Sequence, residues 1–307
     1  MKKEFKTFCE NIKLTQSQRD DAKTKFDGVC KKLHNHYYDS EYDGATKYLF
    51  GSYKTKTNTR PLSDNQDVDV LFKISKETFD KFDEYESNGQ SALLQEVKDI
   101  LKEKYTTTDK ISSWGKVVLI VFTEGNHNVE VLPGYEQEDG TFLIPNTEDG
   151  GSWETFDPRT QIDEFRTSND KTDGLTAELC RMIKTWVKNT SSLKENYKSF
   201  KIVENVMAFL ESDFEEGESY EEYHNVVKNF LDYLNGICGE NIENHVITAY
   251  NRTVKAIEYM DNDKPSEASD EWRKIFGSEF PKVKENPKNE NHNKNRIIVN
   301  PSSPWCR

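Results

Sequence analysis

Nowhere in this 307-residue chain do about 18 apolar residues run together, so no stretch is expected to span a membrane. The opening MKKEFKTFCENIK is basic at its start but has no apolar run behind it, and so does not read as a secretory leader. Paired cysteine spacing is also missing. Cys9, Cys30, Cys180, Cys238 and Cys306 are scattered and odd in number, which argues against a disulfide framework and a zinc knuckle and favours a reducing, cytoplasmic setting. There is no basic excess: 55 acidic residues against 42 basic leave a net charge of -13, so no global field draws the chain to long nucleic acid. Any nucleotide must be held locally. No internal repeat is evident. Aromatic residues are plentiful instead, and 17 Phe and 14 Tyr supply large units for burial, so a charged fraction of 32% reads as solvated surface rather than disorder. The length suits one large domain or two closely packed lobes.

Thr15 opens a capping box with Gln18, and Ala22, Phe26, Val29, Cys30 and Leu33 recur at helical spacing. An amphipathic helix is expected there, ending near Tyr37-Tyr38 and bracing both lobes. His34-Asn35-His36 lacks further metal-ligand spacing and reads as the end of that helix. A short helical stretch over Ala45 to Phe50 leads to Gly51-Ser52 and a polar, turn-rich segment reaching Asp64-Asn65. In DVDVLFKI, Val68, Val70, Phe72 and Ile74 share one face of a strand, which reads as core, while Asp67 and Asp69 share the other, which reads as chemistry. Helical periodicity covers 77–105 with a break near Asn88-Gly89. KVVLIVFT (116–123) is apolar on both faces and reads as a central strand. NVEVLPG alternates so that Glu130 points away from the core, as the two aspartates do. Residues 134–160, rich in Gly, Pro and Asp, read as an ordered loop anchored by Trp153 and Phe156.

From about Thr172 only helices follow. Leu175, Leu179, Met182, Ile183 and Trp186 form one stripe, succeeded by helices over 199–211, 219–235 (capping box Ser219 and Glu222) and 241–260, and a short one ending at Phe276-Gly277. Trp153, Trp186 and Trp272 read as packing anchors. The expectation is an α+β chain: a catalytic core with a mixed sheet over 1–165, an all-helical lobe over 166–281, and a flexible tail over 282–307.

Two carboxylates at i and i+2 on a strand project side by side, as needed to bridge two magnesium ions roughly 3.5–4 Å apart. Asp67 and Asp69 are therefore the candidate catalytic and metal-binding pair, with Glu130 from a neighbouring strand as the third ligand. Gly51 and Ser52 let backbone amides and a hydroxyl approach a triphosphate closely. Arg181 and Lys184, on a flank of the Leu175–Trp186 stripe, and Lys198-Ser199 before the next helix are the candidate phosphate contacts. Taken singly, these cations are equally ordinary surface charges and Lys198-Ser199 an ordinary helix cap. Together the residues point to in-line attack of a 3′-hydroxyl on an α-phosphate, with pyrophosphate leaving.

GSYKTKTNTRPLSDNQDVDV, NVEVLPGY, IPNTEDGGSWETFDPR, LCRMIKTWVK and KSF resemble, in order, the motifs of the bacterial CD-NTase family, relatives of cyclic GMP-AMP synthase and oligoadenylate synthase in the polymerase-beta-like superfamily. The resemblance covers roughly residues 45–280. It implies a polymerase-beta-like nucleotidyltransferase core, metal positions at Asp67, Asp69 and Glu130, and triphosphate contacts at Ser52, Lys184 and Ser199. It also implies two Mg2+ ions, with Mn2+ as substitute, and ATP as substrate with GTP or a pyrimidine triphosphate beside it. The implied product is a cyclic di- or trinucleotide signal in antiphage defence, made under a regulatory protein or phage-derived activator. The third acid, commonly Asp in these families, is Glu130 here, one methylene longer. Glu136 and Asp139 are alternative acids beyond Pro133-Gly134, off the expected strand. Rival readings are a linear oligoadenylate synthase, an RNA or protein nucleotidyltransferase, and an inactive nucleotide-binding sensor.

Overall fold

Alternation becomes strand where it is strictest. DVDVLFKI forms β2 (Asp67–Ile74), with Val68, Val70, Phe72 and Ile74 buried on one face. Removing each such side chain from water contributes roughly 1.5–3 kcal/mol. The computed structural model describes residues 1–62, 67–108, 110–122, 127–213 and 222–284. The expected turn at Asp64-Asn65, Thr123, the Ser219 cap, Cys306 and the tail from residue 285 lie outside these.

Two helices open the chain, α1 (Lys2–Ile12) and α2 (Gln16–Tyr37), the second begun by the expected Thr15–Gln18 capping box. The short strand β1 (Lys47–Leu49) and the single turn α3 (Gly51–Lys54) precede β2. Then come α4 (Lys76–Asp83), α5 (Gly89–Lys104), β3 (Lys110–Trp114), β4 (Val117–Val121) and β5 (Asn128–Glu136). A hairpin of β6 (Phe142–Asn146) and β7 (Ser152–Phe156) follows, and α6 (Pro158–Lys171) leaves the sheet. The remaining helices are α7 (Leu175–Asn189), α8 (Ser199–Asp213), α9 (Tyr223–Ile237), α10 (Glu240–Asp261) and α11 (Pro265–Phe276).

Among the described residues the strands make one seven-stranded mixed sheet in the order β1-β2-β5-β4-β3, extended from β5 by β6 and then β7. β2 and β5 run parallel and the other pairs antiparallel. The fold is thus α+β, as expected. On the apolar face of the sheet, Phe26, Val29 and Leu33 of α2 and Leu93, Val97 and Leu101 of α5 complete one core. A second core gathers the helices from α6 onward.

Five expectations need correction. The stretch from Ala45 to Phe50 is not helical, because residues 47–49 find ladder partners in β2. The region 134–160 is a hairpin rather than a loop; its Gly150 and Gly151 supply positive φ at the turn. Glu136 is on β5, which continues past Pro133-Gly134 because the β4 ladder has already ended at Val131. The second face of β2 is not polar throughout, since between Asp69 and Lys73 it carries Leu71, which buries with Leu132, Phe142 and Ile144. Finally, α2 does not brace both lobes: its buried apolar side chains all join the sheet core. α1 instead sends Phe5 and Phe8 into the helical core, where Phe5 meets Trp272 at 4.9 Å and Phe8 meets Phe276 at 4.5 Å.

Candidate active site

Parallel pairing sets Asp69 opposite Glu130 and Asp67 opposite Asn128, so four polar side chains share one face of β2 and β5. Their proximity appears in their electrostatics. Glu130 is pushed up to about 7 by burial and then by the charges of Asp67 and Asp69. Asp69 is pushed up to about 6 by burial and then by Asp67, while Lys184 and the backbone N–H groups of Asp69 and Ser52 act the other way. Burial also raises Asp67, and the nearby Asn128 amide opposes the rise.

Gly51 turns the chain beside these acids with φ +63°, and a Cβ there would lie 2.2 Å from Asp69 Oδ2. Both the left-handed backbone and the carboxylate exclude a side chain. Ser52 follows, its hydroxyl accepting from Asn58 Nδ2 at 3.1 Å.

Across from the acids, one face of α7 carries Arg181, Lys184 and Lys188 at i, i+3 and i+7. All three reach residues 56–61 of the chain leaving α3. Arg181 Nη1 donates to the Lys56 carbonyl at 2.8 Å, Lys184 Nζ to Thr57 Oγ1 at 2.9 Å, and Lys188 Nζ to the carbonyls of Thr59 at 3.4 Å and Pro61 at 3.5 Å. Because α7 is packed on nearly all sides, Arg181 and Lys184 are buried rather than set on an open flank. Burial lowers both lysines to about 8; Lys188 also feels the Lys184 charge, and Asp69 pulls Lys184 partly back up.

Acids and bases face a cavity of about 780 Å³ whose walls include Gly51, Ser52, Asp67, Asp69, Lys184, Lys198 and Ser199. Lys198 stands at the mouth, 63% exposed and 2.7 Å from Glu195. Two predicted residues do not line the cavity: Glu130, which stands beside Asp69 on β5, and Arg181, which donates to the Lys56 carbonyl. Thr57, Asn58, Thr59 and Lys188 line it without having been singled out in the sequence. Only Lys188 carried a signal, one helical turn beyond Lys184. The alternative acids are engaged elsewhere, Glu136 with Lys73 and Arg159 and Asp139 with Thr141.

The donor set fits a hard divalent cation. It consists of carboxylate oxygens, Asp67 Oδ1 is buried without a partner, and a cation would relieve the mutual repulsion. Among the described residues no three acidic, histidine or cysteine side chains converge to hold an ion as they stand.

A carboxylate-bearing mixed sheet facing buried cations across a cavity is an arrangement that nucleotidyl transfer can use. Residues 1–169 match the Second Messenger Oligonucleotide or Dinucleotide Synthetase domain, and the chain belongs to that family, within the bacterial CD-NTases. It is similar to a probable cyclic nucleotide synthase of Bacillus cereus (strain VD146), 22% identical over 90% of this chain and 96% of the relative. Among solved structures, Escherichia coli MS115-1 CdnC with ATP superimposes with a TM-score of 0.68 at 17% identity, covering 91% of this chain and 98% of CdnC. Vibrio cholerae DncV with the linear intermediate pppA(3′,5′)pG gives 0.60 at 13% identity, covering 91% and 88%. These likenesses establish the polymerase-beta-like fold. No helix among the described residues is long and apolar enough to cross a membrane.

Proposed function

We propose that this chain joins nucleoside triphosphates, ATP among them, into a cyclic di- or trinucleotide signal for antiphage defence, using two Mg2+ ions that Mn2+ can replace. The observation that carries the reading is the placement of Asp67 and Asp69 in the wall of the same cavity as Lys184, Lys198 and Ser199. Asp67, Asp69 and Glu130 would hold the ions, which supply activation of the attacking 3′-hydroxyl and neutralisation of the leaving pyrophosphate. Lys184 and Lys188 counter the triphosphate charge, and Ser52 and Ser199 offer hydroxyls beside it. Each transfer forms an O3′–Pα bond and breaks the Pα–O bond to pyrophosphate, and the last one closes the ring.

The volume favours a small product. Ligand pockets run to roughly 300–1,000 Å³, and about 780 Å³ lies within that range. The net charge of -13 points the same way. CdnC has been solved in complex with HORMA-deltaN, which supports a regulatory protein partner for this chain too. Incubating the protein with the four triphosphates singly and in pairs, with Mg2+ or Mn2+, tests the proposal. A phosphatase-resistant product whose mass equals a closed ring is expected. A phosphatase-sensitive ladder of linear oligonucleotides, or no product, overturns it.

A further inference from the structure

Asn58 lines the cavity, is 6% exposed, and has no part in the reaction outlined above. Its amide Nδ2 lies 3.1 Å from Ser52 Oγ, and among the described residues no other hydrogen bond reaches that oxygen. A serine hydroxyl has one proton and two acceptor lone pairs, and an amide NH2 only donates. The Asn58 bond therefore occupies a lone pair of Ser52 and leaves its proton unspent. A non-bridging phosphate oxygen only accepts, so that proton is what a triphosphate needs from Ser52.

The chain holds Asn58 from both sides. Before it, the Thr57 N–H donates to the Ser52 carbonyl at 2.9 Å, and Thr57 Oγ1 accepts from Lys184 Nζ. After it, the Arg60 N–H donates to the Ile12 carbonyl at 2.9 Å, and Arg60 Nη2 to the Glu10 carbonyl at 2.6 Å. The amide thus extends from a segment anchored to α7 on one side and to the end of α1 on the other. We propose that Asn58 is a positioning residue for Ser52: it takes up the acceptor side of the hydroxyl and leaves the O–H to point at the triphosphate. The inference rests on the reading of Ser52 as a triphosphate contact.

The test is a double-mutant cycle read by isothermal titration with α,β-methylene-ATP and Mg2+, an analogue that cannot release pyrophosphate, with thermal unfolding run alongside. Ser52→Ala should weaken binding by about tenfold or more, the loss of a hydrogen bond to a charged group. Asn58→Ala and Asn58→Leu should each weaken it by about 3–10-fold, because the hydroxyl stays but is no longer directed. In the Ser52→Ala background either change should add less than about twofold. In turnover, Asn58→Ala should raise KM for ATP by the same factor and leave kcat within about twofold. A residue that only packed against the loop would give additive losses, and additive losses overturn the proposal while leaving the triphosphate reading intact. Tighter binding would mean that the amide captures the Ser52 proton through Oδ1, and unchanged binding that it does nothing for Ser52. Both overturn the proposal, as does unfolding of both Asn58 variants. A wild type that fails to bind the analogue would refute the triphosphate reading itself, and the proposal with it.

Discussion

The sheet and α7 face the same cavity but carry opposite charges by different means. The sheet sets its acids by period two on adjoining strands in register, so Asp67, Asp69 and Glu130 are crowded and all raised. The helix spaces its cations by one turn, so Arg181, Lys184 and Lys188 fall in a row and are lowered by burial. Each wall thus holds its charges at some cost, and the two partly compensate, as the coupling of Asp69 with Lys184 shows. Among the described residues no ion pair at contact distance joins these acids, while the bases rest on carbonyls and a hydroxyl of residues 56–61. The acid wall is therefore built to receive a cation, and the basic wall to exchange neutral partners for an anion.

Breaking the acid wall should have the largest effect. Asp67→Asn/Asp69→Asn should lower turnover by about 1,000-fold or more with the circular dichroism spectrum unchanged; activity within tenfold of wild type would sink the comparison. On the basic wall, Lys184→Met should raise KM for the triphosphate by about 10–100-fold, the equivalent of one charge-assisted contact of ~1.5–3 kcal/mol. Arg181→Met should raise KM by about tenfold through the Lys56 carbonyl it orphans, and should speed proteolysis within residues 55–62; unchanged proteolysis would deny the residue its role.

A pH experiment separates the walls more finely. Asp69 at about 6 and Glu130 at about 7 lie above the usual values of about 3.9 and 4.3 in an unfolded chain. In metal-free protein their contribution to stability is therefore full at low pH and is lost as pH rises from about 4 to about 7. Asp69→Asn/Glu130→Gln, which cannot ionise, should match wild type near pH 4 and exceed its Tm by about 2–4 °C near pH 8. A gap that does not vary with pH would remove the crowding of acids from the account. The smallest effect belongs to Lys198→Ala, expected below about threefold in KM because that side chain is exposed and paired with Glu195.

The legibility of these two walls in the sequence differed for physical reasons. Period-two alternation is unambiguous in DVDVLFKI and NVEVLPG, so the acid face and its neighbouring strand were readable, as were the α2 cap, the break at Asn88-Gly89 and the helices after Thr172. Glycine and proline density hid the β6–β7 hairpin, because the residues that make its turn also resemble a loop. Phe5, Phe8, Cys9 and Ile12 have helical spacing, but only their burial against α11 residues and Phe280 shows their purpose. On α7, charge and spacing were visible. Which cation faces the cavity was not, since Arg181 is decided by a carbonyl 125 positions away.

The aromatic cluster that joins Phe5 and Phe8 to Trp272, Phe276 and Phe280 has a consequence for biosynthesis. The sheet core draws its buried residues from between positions 22 and 131, and can condense while the ribosome is still translating. The helical core has its first residue near the start of the chain and its last at Phe280. The helical core that carries the basic wall is therefore complete only once Phe280 has been translated.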